Sequence, residues 1–190
     1  MKGYDDYLRQ FHPIGDADLK LLADCQKVKS FDKGEMITVP GQVAREFYFV
    51  LSGIQMSFFE SDRLTHVVAF TYYPSLCAIP ESFFSQTPSN CYLTALTPSI
   101  MASLSFEHLQ ELFDRSHSIE RLFRKMTEAL LGGVVKRHIE LQSLTIEERY
   151  KSFCKRSPHL LTMVPHKYIA SYLGINPTNF SKLYNSVKIG

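Results

Sequence analysis

A lone glycine between two short helical patterns constrains this chain more than any other feature. Near the C-terminus the residues run His166–Leu173, then Gly174 and Ile175, then Pro177–Asn185. Apolar residues fall at Ile169, Ala170, Leu173, Ile175, Phe180 and Leu183, so one buried seam runs through two helices and the turn between them. Pro165 can open the first helix, where a missing N–H costs nothing. Gly174 can take the positive φ of a sharp turn. Asn176-Pro177 reads as an N-cap followed by a first-turn proline. The pattern predicts a helix-turn-helix, which usually presents its second helix to the DNA major groove; the alternative is an αα-hairpin packed on a core.

The rest of the chain changes period twice. Residues 5–27 read as helical, with Leu19, Leu21, Leu22 and Cys25 among polar residues and Asp16 as a cap. From Val28 the pattern becomes short runs broken by turn signals: Met36–Val39 before Pro40-Gly41, Phe47–Leu51 before Ser52-Gly53, then Gln55–Glu60 and Thr65–Tyr72 around a Ser61-Asp62-Arg63 loop. Cys91–Leu96 and Ile100–Leu104 continue the series. Many short, closely spaced strands imply a sandwich or barrel, and a jelly roll fits. Ser105 then caps a short helix, with Glu107 in its first turn. A long helix follows over 118–143, with an apolar stripe through Ile119, Leu122, Met126, Leu130 and Val134. Such a stripe serves a core or a partner helix, and its length suits a dimer seam. Gly132-Gly133 within it allows close helix approach or marks a kink. Thr145-Ile146-Glu147-Glu148 is a capping box opening the next helix, which Ser157-Pro158 closes.

The expected class is therefore α+β, in three parts: an N-terminal β jelly roll with flanking helices over 1–117, a long helix over 118–143, and a helix-turn-helix domain over 144–190. Charge follows the same division. Residues 1–114 hold 8 Lys/Arg against 14 Asp/Glu, and residues 115–190 hold 13 against 5. The basic excess lies on the half with the helix-turn-helix, where a phosphate backbone is the natural partner. No apolar run has the length of a membrane span and the N-terminus lacks a secretory signal, so the cytoplasm is expected and a membrane partner is not. The four cysteines, at 25, 77, 91 and 154, have no metal-ligand spacing and read as reduced core thiols. An enzyme on a jelly roll would need clustered His/Glu ligands on neighbouring strands. Only His66 lies in a strand pattern, so neither catalysis nor a metal is expected.

Residues EERYKSFCKRSPHLL and VPHKYIASYLGINPTNFSKLYN, behind FDKGEMITVPGQVAREFYFVLSG, resemble the Crp/Fnr family of transcriptional regulators, in particular its shorter Bacteroidetes-type members. The resemblance covers nearly the whole chain. It implies a cyclic-nucleotide-binding-like sensor domain, a homodimer through the long helix with Ile119, Leu122, Met126, Leu130 and Val134 at the interface, double-stranded DNA as target, and RNA polymerase as a further partner. Only five residues follow Asn185, so the family's β-hairpin wing is expected to be reduced or absent.

The ligand cassette departs from the family. Cyclic-nucleotide sensors hold the ring phosphate with an Arg in an Arg-Ser/Thr-Ala run after a Gly-Glu pair. Those positions fall here on Ser89, Asn90 and Cys91, and on Ala78-Ile79 or, with a gap, Pro80-Glu81. Residues 64–114 contain no Lys or Arg. A phosphodiester charge buried without a cation is costly. Ala78, Ile79, Glu81, Ser89, Asn90 and Cys91 thus mark a degenerate pocket, and no cyclic-nucleotide cofactor is expected; the effector, if one binds, is an unidentified small molecule.

On the second helix, placing Phe180 and Leu183 inward turns Thr178, Ser181, Lys182 and Asn185 outward. Thr178 and Lys182 are best placed for base edges. Asn176, Asn179 and Lys167 lie near the helix N-terminus, where phosphates bind. The sequence therefore predicts a sequence-specific DNA-binding regulator that does not respond to cyclic AMP. The alternative is a signalling or protein-interaction module whose helix-turn-helix no longer binds DNA.

Overall fold

Short β-rich runs broken by turns build paired sheets in the first half. The protein is described by a computed structural model over residues 2–62 and 64–186, among which eight strands form two four-stranded sheets. After α1 (Lys2–Arg9) and α2 (Asp16–Asp24) come β1 (Lys27–Phe31), β2 (Met36–Thr38), β3 (Glu46–Ser52), β4 (Ile54–Ser61), β5 (Leu64–Tyr72) and β6 (Ser75–Cys77). The short α3 (Pro80–Ser85) precedes β7 (Tyr92–Ala95) and β8 (Ser99–Ser105). One sheet runs β1-β8-β3-β6 and the other β2-β7-β4-β5, the jelly-roll arrangement. β3 lies antiparallel to β8 with Tyr48 opposite Ser103. Gly53 makes the corner between β3 and β4 at φ +89°, and a Cβ there would sit 2.6 Å from the Pro98 carbonyl, so only glycine fits.

Helices follow. α4 (Phe106–Arg115) is capped by Ser105, whose hydroxyl accepts from the His108 N–H. α5 (His117–Ser143) is 27 residues long and continuous through Gly132-Gly133, and a Cβ on either glycine would meet open space. α6 (Ile146–Arg156) opens with both bonds of the capping box between Thr145 and Glu148, and Ser157 ends it. α7 (Leu160–Met163), α8 (His166–Leu173) and α9 (Pro177–Ser186) follow among the described residues. The expected reduction or loss of the wing after Asn185 concerns residues that, beyond Ser186, lie outside the described ones.

Four expectations need correction. The helix read over 5–27 is two helices, separated where Pro13 and Gly15 interrupt the backbone ladder. Asp16 is the first helical residue rather than a cap, and Gly15 stands at the N-cap. The short β6, α3 and α7 were not anticipated. The long-helix stripe is also divided. Ile119 and Leu122 are wholly buried and Met126 nearly so, beside Phe123, in a core they share with Tyr4, Phe47, Phe49 and Leu112. They are covered by this chain's own residues and are not available to a partner. Leu130 and Val134 remain about half exposed, in a run with Leu131, Val135 and Ile139.

The chain separates into two compact units, one of Met1–Ser57 with Phe70–Leu130, the other of Phe58–Ala69 with Leu131–Gly190. The tip of the β4–β5 hairpin thus belongs with the C-terminal helices, and α5 contributes to both units.

Candidate nucleic-acid interface

The turn before α9 is built as its residues dictate. Gly174 adopts φ +61°, its N–H bonds to the Ser171 carbonyl, and the Ile175 N–H reaches back to the Ala170 carbonyl at 2.9 Å. This double closure satisfies the last carbonyls of α8. Asn176 then caps α9, its Oδ1 accepting from the Thr178 N–H at 2.9 Å. Beneath the turn, Ile169, Ala170, Leu173, Ile175 and Phe180 are buried, with Phe180 edge-on to Tyr150 at 5.6 Å.

This core leaves one face outward. Lys167, Asn176, Thr178, Asn179, Ser181, Lys182 and Asn185 are all exposed. Thr178 and Lys182 lie one turn apart, as do Ser181 and Asn185. Lys167 Nζ stands 4.8 Å above the Tyr168 ring, which orients it without neutralising it. Asn176 spends its side-chain oxygen on the cap, and its amide N–H₂ takes no part in that bond.

The electrostatics agree. From Arg149 to Gly190 the sequence holds seven Lys/Arg and no Asp or Glu. This acid-free tract is a sequence signal that the charge division at residue 115 understated. Two cations, Arg156 of this tract and Arg137 before it, serve the fold. Glu140, nearly buried, lies 4.0 Å from Arg137 and 3.8 Å from Arg156, and the Arg137 guanidinium stacks 4.1 Å over the Tyr172 ring on α8. Burial holds Arg137 below its usual basicity. Sequence reasoning also missed His166 and Tyr184, whose rings approach to 4.3 Å and fasten α8 to α9.

The six residues expected to mark a degenerate pocket lie on α3 or flank it in the sequence. Ile79 and Ser89 are buried, Ala78 and Cys91 half-buried, Glu81 and Asn90 exposed. Ser82 fixes α3 by accepting from the Ala44 N–H at 2.9 Å and donating to the Thr87 carbonyl at 2.6 Å. Ser89 turns its hydroxyl onto Cys91, accepting from its N–H at 2.9 Å and donating to its carbonyl at 2.8 Å. Burial, and after it the Glu81 carboxylate, pushes the Cys91 thiol above its ordinary pKa. The charge beside Cys91 is therefore negative, the same sign as a phosphodiester. An open cleft of about 400 Å³ lies elsewhere, lined by Thr38, Arg45, Glu46, Tyr48 and Glu107 among others, and none of the six residues borders it. Among the described residues no group of three or more His, Cys, Asp or Glu is placed to hold a metal, and no helix is long and apolar enough to cross a membrane.

Comparison with known proteins places this architecture. Residues 28–116 match the family model of the cyclic nucleotide-binding domain. No curated protein matches the chain by sequence. Among solved structures, FixK2 from Bradyrhizobium japonicum is similar with a TM-score of 0.73 at 18% identity, over 84% of this chain and 83% of that one. The catabolite activator protein of Thermus thermophilus gives 0.60 at 17% identity, over 93% and 84%. CLP of Xanthomonas campestris, a regulator responsive to c-di-GMP, gives 0.65 at 18%, over 90% of each chain. At such identities the likeness establishes the fold.

Proposed function

Because the chain carries a cyclic nucleotide-binding domain inside the Crp/Fnr fold, we propose that it is a homodimeric, sequence-specific DNA-binding transcriptional regulator of the cytoplasm that does not answer to cyclic AMP. The observation that carries this reading is an acid-free tract with no Asp or Glu after Glu148, in which five exposed polar or basic residues of α9, its cap Asn176 and Lys167 of α8 all face solvent. Such a face suits a polyanion with hydrogen-bonding base edges. Thr178 and Lys182 read bases; Lys167, Asn176 and Asn179 hold phosphates; Ser181 and Asn185 extend the contact along the groove.

Dimerisation through the exposed run Leu130, Leu131, Val134, Val135 and Ile139 would bury apolar surface that this chain leaves open. The bare backbone of Gly132-Gly133 would let two helices approach closely. Two-fold symmetry then spaces the recognition helices by about 34 Å, one DNA turn. RNA polymerase is the partner such a dimer would meet at a promoter.

The absence of a cation over 64–114, the Glu81 charge beside Cys91 and the self-satisfied Ser89 hydroxyl all oppose a cyclic phosphodiester. Any effector of this domain is accordingly a small molecule without that charge. The test is selection of bound duplexes from random sequence by the full chain, followed by a gel shift. An enriched motif with inverted half-sites supports the reading; an unenriched pool favours the interaction-module alternative.

A further inference from the structure

The open cleft of about 400 Å³ in the jelly roll is bordered neither by the cassette residues nor by the face of α9. One wall is the loop from Gln42 to Arg45. Backbone groups hold it: the Ser89 N–H donates to the Gln42 carbonyl at 2.8 Å, and the Ala44 N–H to Ser82 Oγ at 2.9 Å. Another wall is the start of α4, where the Phe106 N–H donates to the Arg45 carbonyl at 3.1 Å and Ser105 pairs with Glu46 across β8 and β3. Walls fixed in this way need little ordering when a ligand enters. The volume lies within the range of small-molecule sites.

The polar groups of the cleft are unevenly committed. Glu46 is already matched: Lys29 Nζ lies 2.7 Å from its Oε1, and the Tyr48 hydroxyl donates to its Oε2 at 2.9 Å. Arg45 is exposed, and its guanidinium makes no hydrogen bond or ion pair among the described residues. Its charge still acts on Glu107, exposed in the first turn of α4. The backbone N–H of Glu107, and after it the Ser105 hydroxyl, hold that carboxyl below its usual range, so it is an anion at neutral pH. Thr38, 6% exposed, also lines the cleft, and its hydroxyl has no partner among the described residues. A buried hydroxyl left so is costly until something bonds it. Ile37 and Val43, both half-buried, add apolar surface.

A simple anion at Arg45 meets the Glu107 charge, and a simple cation at Glu107 meets Arg45. A molecule carrying both charges satisfies the two at once. We propose that this cleft binds a small zwitterion with an apolar body, an aliphatic α-amino acid, its carboxylate on Arg45 and its ammonium on Glu107. The guanidinium donates a forked pair of bonds to the carboxylate, and the Thr38 hydroxyl gains a partner away from water. The aliphatic side chain covers Ile37 and Val43. The site does not depend on the DNA-binding reading.

The test is titration of the full chain with leucine, followed by amide NMR, beside two molecules that each keep one of its charges, isocaproate and isoamylamine. Leucine should shift the amides of Thr38, Val43, Arg45 and Glu107, and either half-molecule should bind at least about tenfold more weakly. Arg45→Gln should remove the advantage of leucine over the amine, and Glu107→Gln its advantage over the acid. Both side chains are exposed, so the variants should keep the fold, which unchanged amide signals away from the cleft verify. Leucine binding no tighter than about 1 mM, half-molecules that bind as tightly as leucine, or an Arg45→Gln chain that binds leucine like the parent overturns the proposal. A chain that binds leucine but no duplex would sink the regulator reading alone.

Discussion

Lys182 and Lys167 are both exposed cations, and the proposed function gives them different work. Lys182 stands one turn after Thr178 on the outward face of α9, so its ammonium can reach guanine O6 and N7. Lys182→Ala should weaken operator binding by about 1–3 kcal/mol and relax the sequence preference. Lys167, on α8, should meet phosphate. Lys167→Ala should weaken all sequences alike and reduce the salt slope by about one. Titrations of both variants against operator and unrelated duplex separate the two roles. A third residue ties stability to pH. Burial raises the pKa of Glu46, but donation from Lys29 at 2.7 Å and from the Tyr48 hydroxyl at 2.9 Å, with the Lys29 charge, outweighs it and holds the pKa below 4.5. A carboxylate depressed in the folded state stabilises above its unfolded value and loses that contribution as pH falls through the folded one. Glu46→Gln should therefore lose less thermal stability than the parent as pH drops from about 5 to about 3, measured by calorimetry.

At the scale of elements, α5 performs two tasks along its length. Leu122, wholly buried, belongs to the hydrophobic core beneath the jelly roll, and Leu122→Ala should cost about 2–5 kcal/mol in denaturant unfolding without altering the association of folded protein. Leu131, 64% exposed, belongs to the proposed seam, and Leu131→Glu should leave a folded monomer in sedimentation at micromolar concentration. Sequence alone did not separate these tasks. Periodicity at 119, 122, 126, 130 and 134 says which positions are apolar but not what covers them, and the cover of Ile119, Leu122 and Met126 comes from residues far away in the chain. What was legible was local. The Thr145–Glu148 capping box, the Ser105 cap, the Gly174 turn and the Asn176 cap each depend on residues within a turn or two. The break between α1 and α2 was also written locally, in Pro13 and Gly15, under an apolar pattern that ran on past it. β6, α3 and α7 are three, six and four residues long, too short for any period to register. The two bonds of Ser171 to the β4–β5 hairpin were beyond sequence reasoning, because Ser171 and Val67 meet only through the tertiary fold.

For the whole molecule, an acidic, cation-poor half precedes a basic half whose last acid is Glu148. The first should refuse a charged cyclic nucleotide and the second should seek a polyanion. Calorimetry with cyclic AMP or cyclic GMP should show no binding tighter than about 10 μM, near −7 kcal/mol. The central claim, specific recognition of duplex DNA, is tested most directly by titrating the full chain with a selected duplex and an unrelated one between about 50 mM and about 200 mM salt. The account predicts that log affinity falls linearly with log salt for both, and that the selected duplex binds at least about a thousandfold more tightly. Equal affinity for the two duplexes, or no binding to either at about 50 mM salt, would contradict it.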